Sequence, residues 1–210
     1  MDSASFDAAT LFAGGRLCLD FVNTSCQRRG VPLEFLGSGE ELRRWLLLAE
    51  NATGTSLCPD EGLWDAGYWD RVLPRAIGLR TALDDLFRGI IGAGPVPAAA
   101  LEVVNAVLRE NPVYSQIENG GDGFRESVVV CRPGDRWLVA IAQDAVDLLC
   151  HSDLSLLRQC ECPTCVRVFY DTTKNHKRRW CVEKCGSKPK AAAYYRRKVA
   201  AKAAQSGRTE

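Results

Sequence analysis

Five of the ten cysteines in this 210-residue chain fall between Cys160 and Cys185, and their spacing constrains the fold more than any other feature. They form two clusters: Cys160, Cys162 and Cys165, then Cys181 and Cys185. Two thiolate pairs about 15 residues apart suit a tetrahedral zinc ion, because each pair supplies two soft anionic ligands and the intervening loop closes the cage. Cys162-Pro163-Thr164-Cys165 has the C-x2-C spacing of a zinc knuckle, whose tight turn points backbone N–H groups at sulfur. Cys160 competes with Cys162 for the first position, and spacing leaves both open. Buried or disulfide-bonded cysteines are the other reading, and disulfides need an oxidising compartment. Residues 1–10 lack the basic start and apolar run of a secretory signal, so a cytoplasmic location, and metal, are expected. Four available cysteines close the shell, which makes the zinc structural rather than catalytic; His151 and His176 are lone substitutes.

Around the cysteines, residues 167–170 read as a strand, 171–176 as a polar turn and 178–181 as a return strand. Cys185 and the residues after it open a helix to about residue 201, with Ser187 as its N-cap and Pro189 in its first turn. Knuckle, hairpin, then a ligand pair at a helix N-terminus is the treble-clef layout. Charge divides at the same place. Residues 1–159 carry a net charge of −8 and residues 160–210 a net charge of +9, with every lysine at or beyond Lys174. An acidic body with a basic module points to a polyanionic partner for the module. The candidate contacts are Lys174, Lys177, Arg178, Arg179, Lys188, Lys190, Arg196 and Arg197, interleaved with Tyr170, Trp180, Tyr194 and Tyr195. Trp180 and Phe169 are expected to form a miniature core under the metal.

The larger part reads as mainly helical. Residues 17–24, L-C-L-D-F-V-N-T, are an apolar run with two polar members, Asp20 and Asn23. A short helix is expected there. Its polar pair either bonds the backbone of neighbouring elements or contacts a small-molecule ligand. Residues 28–39 read as a turn-rich loop. Ser38 with Glu41 resembles a capping box and starts a helix. Trp64, Tyr68 and Trp69 fall in a linking stretch that seals the core. Apolar residues spaced by three, four and seven mark helices over 72–91 and 136–150, with another over 97–110. Residues 113–117 and 124–131 flank Asn119-Gly120-Gly121-Asp122-Gly123 and read as a β-hairpin. No stretch approaches the roughly 18 apolar residues of a membrane span.

The cysteine region resembles the CGNR zinc-finger family. The match runs through Cys165, Phe169, Asp171, Thr173, Lys174, Asn175, Arg178-Arg179-Trp180-Cys181, Cys185-Gly186 and Lys190-Ala191. In that family four residues commonly separate the first two cysteines, which fits Cys160 with Cys165 and so favours Cys160 over Cys162. The namesake C-G-N-R stands here as Cys185-Gly186-Ser187-Lys188, and lysine cannot reproduce arginine's planar fork to phosphate or guanine. Upstream, residues 17–24 resemble the start of the ABATE domain that precedes this finger. The resemblance implies a bacterial transcription regulator with a DNA-binding finger and an N-terminal domain that senses a ligand or mediates assembly.

The expected fold is therefore α+β: a mainly helical N-terminal domain with a β-hairpin over 11–157, a small C-terminal treble-clef-like zinc finger over 158–201, and a disordered tail over 202–210. The expected function is zinc-dependent DNA binding by a regulator, with Cys160 (or Cys162), Cys165, Cys181 and Cys185 as ligands. An effector at Asp20 and Asn23, and assembly into homo-oligomers, are compatible with it. The competing reading is a protein- or RNA-binding zinc module on a small-molecule-binding domain. Neither is an enzyme, since a G-x-S-x-G elbow, a P-loop and a His–acid pair are all missing from the sequence.

Overall fold

A computed structural model describes residues 11–28, 30–58, 65, 67–130 and 133–187. The tail expected over 202–210 and Trp64 lie outside them. The chain runs α1 (Leu17–Val22), β1 (Ser25–Arg28), β2 (Val31–Glu34), α2 (Gly39–Thr53), α3 (Tyr68–Ile91), α4 (Ala98–Glu110), β3 (Val113–Asn119), β4 (Phe124–Val130) and α5 (Arg136–His151). Strands β5 (Leu157–Gln159) and β6 (Val168–Tyr170) follow. The strands pair as three separate antiparallel ribbons, β1–β2, β3–β4 and β5–β6.

The helices form where the apolar periodicity places them. Ser38 caps α2, its Oγ accepting from Glu41 N–H at 3.2 Å, while the Glu41 carboxylate reaches back to Gly37 N–H at 2.9 Å. Gly54, in the left-handed region at φ 70°, ends α2 by donating to Glu50 O. Helix α3 is the central element. It buries Val72, Ala76, Leu79, Leu83, Leu86 and Phe87 between α2 on one side and α4 on the other. It starts at Tyr68, a turn earlier than expected, because Trp69 is buried and Tyr68 reaches across to Gly134 O and Trp137 Nε1. Short α1 is buried along Cys18–Val22 and packs on both α3 and α5. Asp144 of α5 fixes its start, accepting from Cys18 N–H at 2.8 Å and pairing with Arg16 at 2.8 Å.

Two expectations are corrected. The stretch read as a loop over 28–39 contains β2, paired with β1 just before it. Pro32 and the absence of alternation hid it. The ribbon is held by Arg80, a buried arginine on α3, which grips both Glu34 oxygens at 2.6 and 2.7 Å and Thr24 Oγ1 at 3.0 Å. Secondly, β6 pairs with β5, not with residues 178–181, which form no strand.

This second change joins the two parts of the chain. Leu157 and Val168 belong to the same buried cluster as Phe21, Leu83 and Trp137. The Asn23 side chain acts as a further partner for β6. Its Nδ2 donates to Val168 O at 2.8 Å and its Oδ1 accepts from Val168 N–H at 3.0 Å. Gly14 O accepts from Tyr170 N–H at 2.7 Å, and Asp20 Oδ1 holds that loop by accepting from Gly14 N–H at 2.7 Å. A Cβ on Gly14 would lie 2.8 Å from that Asp20 oxygen, so the contact requires glycine.

Replacing Asn23 by Ala strips both polar groups of Val168 of a buried partner. Chemical denaturation is expected to show a loss at the upper end of about 1–3 kcal/mol. Asp20 is expected to set a pH dependence. Its burial pushes the carboxyl up to about 7, against the Gly14 bond and the nearby Arg167 and Arg178, with Asp144 adding to the rise. The folded chain thus keeps a proton that the unfolded chain has lost. From about pH 4 to 7 stability should fall as pH rises, by up to about 1.4 kcal/mol per pH unit from this group. Asp20→Asn should flatten that part of a melting-temperature profile.

Candidate metal centre

The chain after β5 turns back on itself around sulfur. Cys160 N–H donates to Arg167 O at 2.9 Å and Cys165 N–H to Cys162 O at 2.9 Å, which closes the first turn. The Sγ atoms of Cys160, Cys165, Cys181 and Cys185 lie within 4.8 Å of one another. A tetrahedron with Zn–S bonds near 2.3 Å has edges of about 3.8 Å. Cys165 and Cys181 stand 3.7 Å apart, and Cys181 and Cys185 3.8 Å. Cys181 N–H points at Cys160 Sγ at 3.5 Å, the kind of donor that steadies a thiolate. Cys162 is buried beside the group, but its sulfur contacts Thr164 Oγ1 at 3.6 Å and is not among the four.

The electrostatics of the cluster ask for a cation. Neighbouring thiols Cys165 and Cys181 donate to Cys160 and hold its thiol well below the ordinary range. Cys181 is pushed far up, because its own bonds to Cys160 and Cys165 favour its proton. Burial likewise pushes Cys185 up, to about 12. Four crowded sulfurs thus carry one negative charge readily and resist the next, until a dication neutralises them.

Phe169 and Trp180 pack against the sulfurs as a miniature core. Gly186 lies flat against the indole: a Cβ there would be 2.8 Å from Trp180 Cε3. Asp171, fully buried, organises the turn between the cysteine clusters. It accepts from Thr173 N–H at 3.0 Å, Thr173 Oγ1 at 2.5 Å and Arg178 N–H at 2.8 Å. These bonds hold its carboxyl below the usual range although burial alone would raise it. The helix expected to open near Cys185 is already under way at residue 183, so Ser187 is not its cap; its Oγ donates to Lys184 O instead.

The expected nucleic-acid cations separate by environment. Lys174 and Lys177 are exposed on the Asp171 turn. Arg179 is largely exposed, pairs with Glu161 at 2.5 Å and stacks over Trp180 at 5.2 Å. Arg178 is different and corrects the expectation. Its guanidinium lies 4.5 Å over the Phe169 ring and donates to Ala13 O at 2.8 Å, Trp180 O at 3.0 Å and Cys181 O. It ties the cysteine module to the N-terminal loop and is not available to a phosphate. Lys188, Lys190, Arg196 and Arg197 lie outside the described residues. Asp20 and Asn23 are buried and bonded to backbone. Two further residues that carry the junction drew no notice in the sequence: Arg88 of α3 donates to Val166 O at 3.0 Å, and Arg158 of β5 to His176 O at 2.9 Å and Arg178 O at 3.3 Å. A lone arginine on a helix face or in a short strand carries no sign of a distant carbonyl partner.

A helical body stitched to a four-cysteine zinc module defines the class. Residues 15–152, more than half of the chain, match the ABATE family, described as "putative stress-induced transcription regulator", and residues 157–198 match the CGNR zinc finger. The chain belongs to the ABATE family, and the cofactor of its finger is zinc. Neither matched family is described as one of enzymes. A comparison with curated proteins finds no match. Among the described residues no helix is long and apolar enough to cross a membrane.

Because β6 is bonded to α1 and shares the body's core, losing the metal should not melt the finger alone. Strong chelation, or Cys165→Ser, is expected to lower the melting temperature of the whole chain in a single transition. Calorimetry showing two transitions, with the body's unmoved, would contradict this coupling. Gly186→Ala is expected to lower the same transition while leaving zinc content, by elemental analysis, at one per chain.

Proposed function

We propose that this protein is a DNA-binding transcription regulator whose finger is held by one zinc on Cys160, Cys165, Cys181 and Cys185. The observation that carries the reading is the placement of exposed Lys174 and Lys177. They sit on a turn whose backbone Asp171 pins beside the sulfur cluster, in a chain whose first 159 residues are net acidic. Because the backbone of the turn is already fixed, phosphate binding orders only the lysine side chains themselves. The acidic body repels the duplex and leaves the basic end as the approach face. Bound zinc supplies four-fold cross-linking of the module and no chemistry on a substrate. Arg179 joins the contact set by exchanging Glu161 for a phosphate. Asp20 and Asn23 act as struts between body and finger. Regulatory input through the body, by a small molecule or by assembly, belongs to the same proposal.

Titration with duplex DNA at several salt concentrations tests the reading. About four phosphate contacts imply a log–log salt slope near −3.6, at about 0.9 per phosphate. Lys174→Gln with Lys177→Gln should flatten it by up to about 1.8 while the melting temperature stays put. Arg178→Gln should instead lower the melting temperature. A slope near zero, or no duplex binding at low salt, assigns the basic end to a protein partner.

A further inference from the structure

The β3–β4 ribbon turns its apolar side to solvent. Its register pairs Ser115 with Val128, Ile117 with Glu126 and Asn119 with Phe124. Val113, Ile117, Phe124 and Val128 therefore share one face with Ser115, Asn119 and Glu126. The opposite face carries Tyr114 paired with Val129 beside a bonded polar group, in which Arg125 Nε donates to Glu118 at 2.9 Å and Gln116 Nε2 to Glu118 at 3.3 Å. On the apolar face Ile117 is 79% exposed, Phe124 83% and Val128 63%. The root of the ribbon is tied to the helices. Arg75 of α3 clamps its root, bonding Glu110 before it at 2.9 Å and Asp135 after it at 3.0 Å. Asn111 at the entry is buried and donates to Val107 O at 2.9 Å. A two-stranded sheet is marginal in water unless a face is covered, and strand-forming residues placed in period-two order on an open face mark a surface that is covered in use.

We infer that this face packs against the same face of a second copy of the chain, making a two-fold dimer. Charge argues for self-association here and against it elsewhere. The body is net acidic, so charge opposes other body-to-body contacts between two copies. This face carries one charge, Glu126, whose carboxylate already accepts from Ser115 Oγ. A two-fold contact needs a patch complementary to itself, which an apolar stripe is. Four of the ten large exposed hydrophobics among the described residues lie on this one face, so the best apolar counterpart the described residues offer is the same face of another copy. Two facing stripes of a few hundred Å2 each cover on the order of 1,000 Å2, enough for a reversible dimer at the weak end of specific interfaces. The dimer places two fingers in one particle, but it does not depend on what the fingers bind.

Sedimentation velocity on the zinc-loaded full chain across the micromolar range is expected to show a concentration-dependent monomer–dimer equilibrium. Ile117→Lys and Phe124→Thr should each raise its dissociation constant about 30-fold or more, as central apolar contacts do. Gln116→Lys, on the opposite face, should leave it unchanged. Both Ile117 and Phe124 are exposed in the monomer, so circular dichroism should match the parent protein, as should the melting temperature at concentrations where the parent is monomeric. A parent chain that is monomeric throughout, or a dimer indifferent to both apolar-face variants, overturns the inference. No DNA enters the measurement, so its result is separate from that of the salt titration.

Discussion

The carboxamide of Asn23 is the interaction on which the arrangement of this protein turns. A side-chain amide has one acceptor and two donors in a fixed plane, the same pattern that a neighbouring strand would present. By offering both to Val168, Asn23 extends the β5–β6 ribbon with a side chain rather than a strand. The ribbon is thereby seated on α1, and α1 is in turn locked to α5 through Asp144. Gly14 and Arg178 repeat the link from either side, one with a carbonyl to Tyr170 N–H and the other with a guanidinium to Ala13 O. Each of these ties crosses from the first 23 residues to the last third of the chain, and Arg88 of α3 adds one from the middle. Local propensity contributes little to such ties; burial of α1 and the metal's closure of the finger hold them in register.

Much of this was legible in the sequence because it follows from periodicity and spacing. The stripes of α3 and α5, the Ser38 cap and the five clustered cysteines each carry a local signal that survives folding unchanged. Asp20 and Asn23 stood out as polar residues within an apolar run, and bonding to neighbouring backbone was one of the two readings that followed. Their partners were not legible, since Val168 lies 145 residues away from Asn23 and nothing local marks it. For the same reason the sequence places Arg178 with the surface cations: it is one of a run of basic residues, and only the packing of Phe169 and the Ala13 carbonyl separates it from Arg179. The β1–β2 ribbon shows no alternation in sequence, and the Arg80–Glu34 grip that holds it joins a helix and a strand 46 residues apart.

Arginine does different work in the two parts. In the body and at the junction, Arg80, Arg88, Arg158 and Arg178 spend their planar donors on carbonyls and carboxylates within the chain. Lysine, a flexible point charge that holds no such fork, is confined to the basic end, and Lys174 and Lys177 project into solvent. The division follows the chemistry of the two side chains. One builds long-range scaffold contacts, and the other supplies mobile positive charge where a partner is to be met.

The strut between α1 and β6 also bears on how such a finger travels between proteins. Small zinc modules are often regarded as cassettes, cut and rejoined at a linker. Here Leu157 of β5 and Val168 of β6 are core residues of the body, and their ribbon is completed by a loop and helix from the opposite end of the chain. A chimera cut near residue 157 would leave one half with an unpaired strand edge and the other with an open apolar floor. Transplanting the finger intact would mean carrying residues 13–23 with it. The two pieces share one core despite the distance between them along the chain.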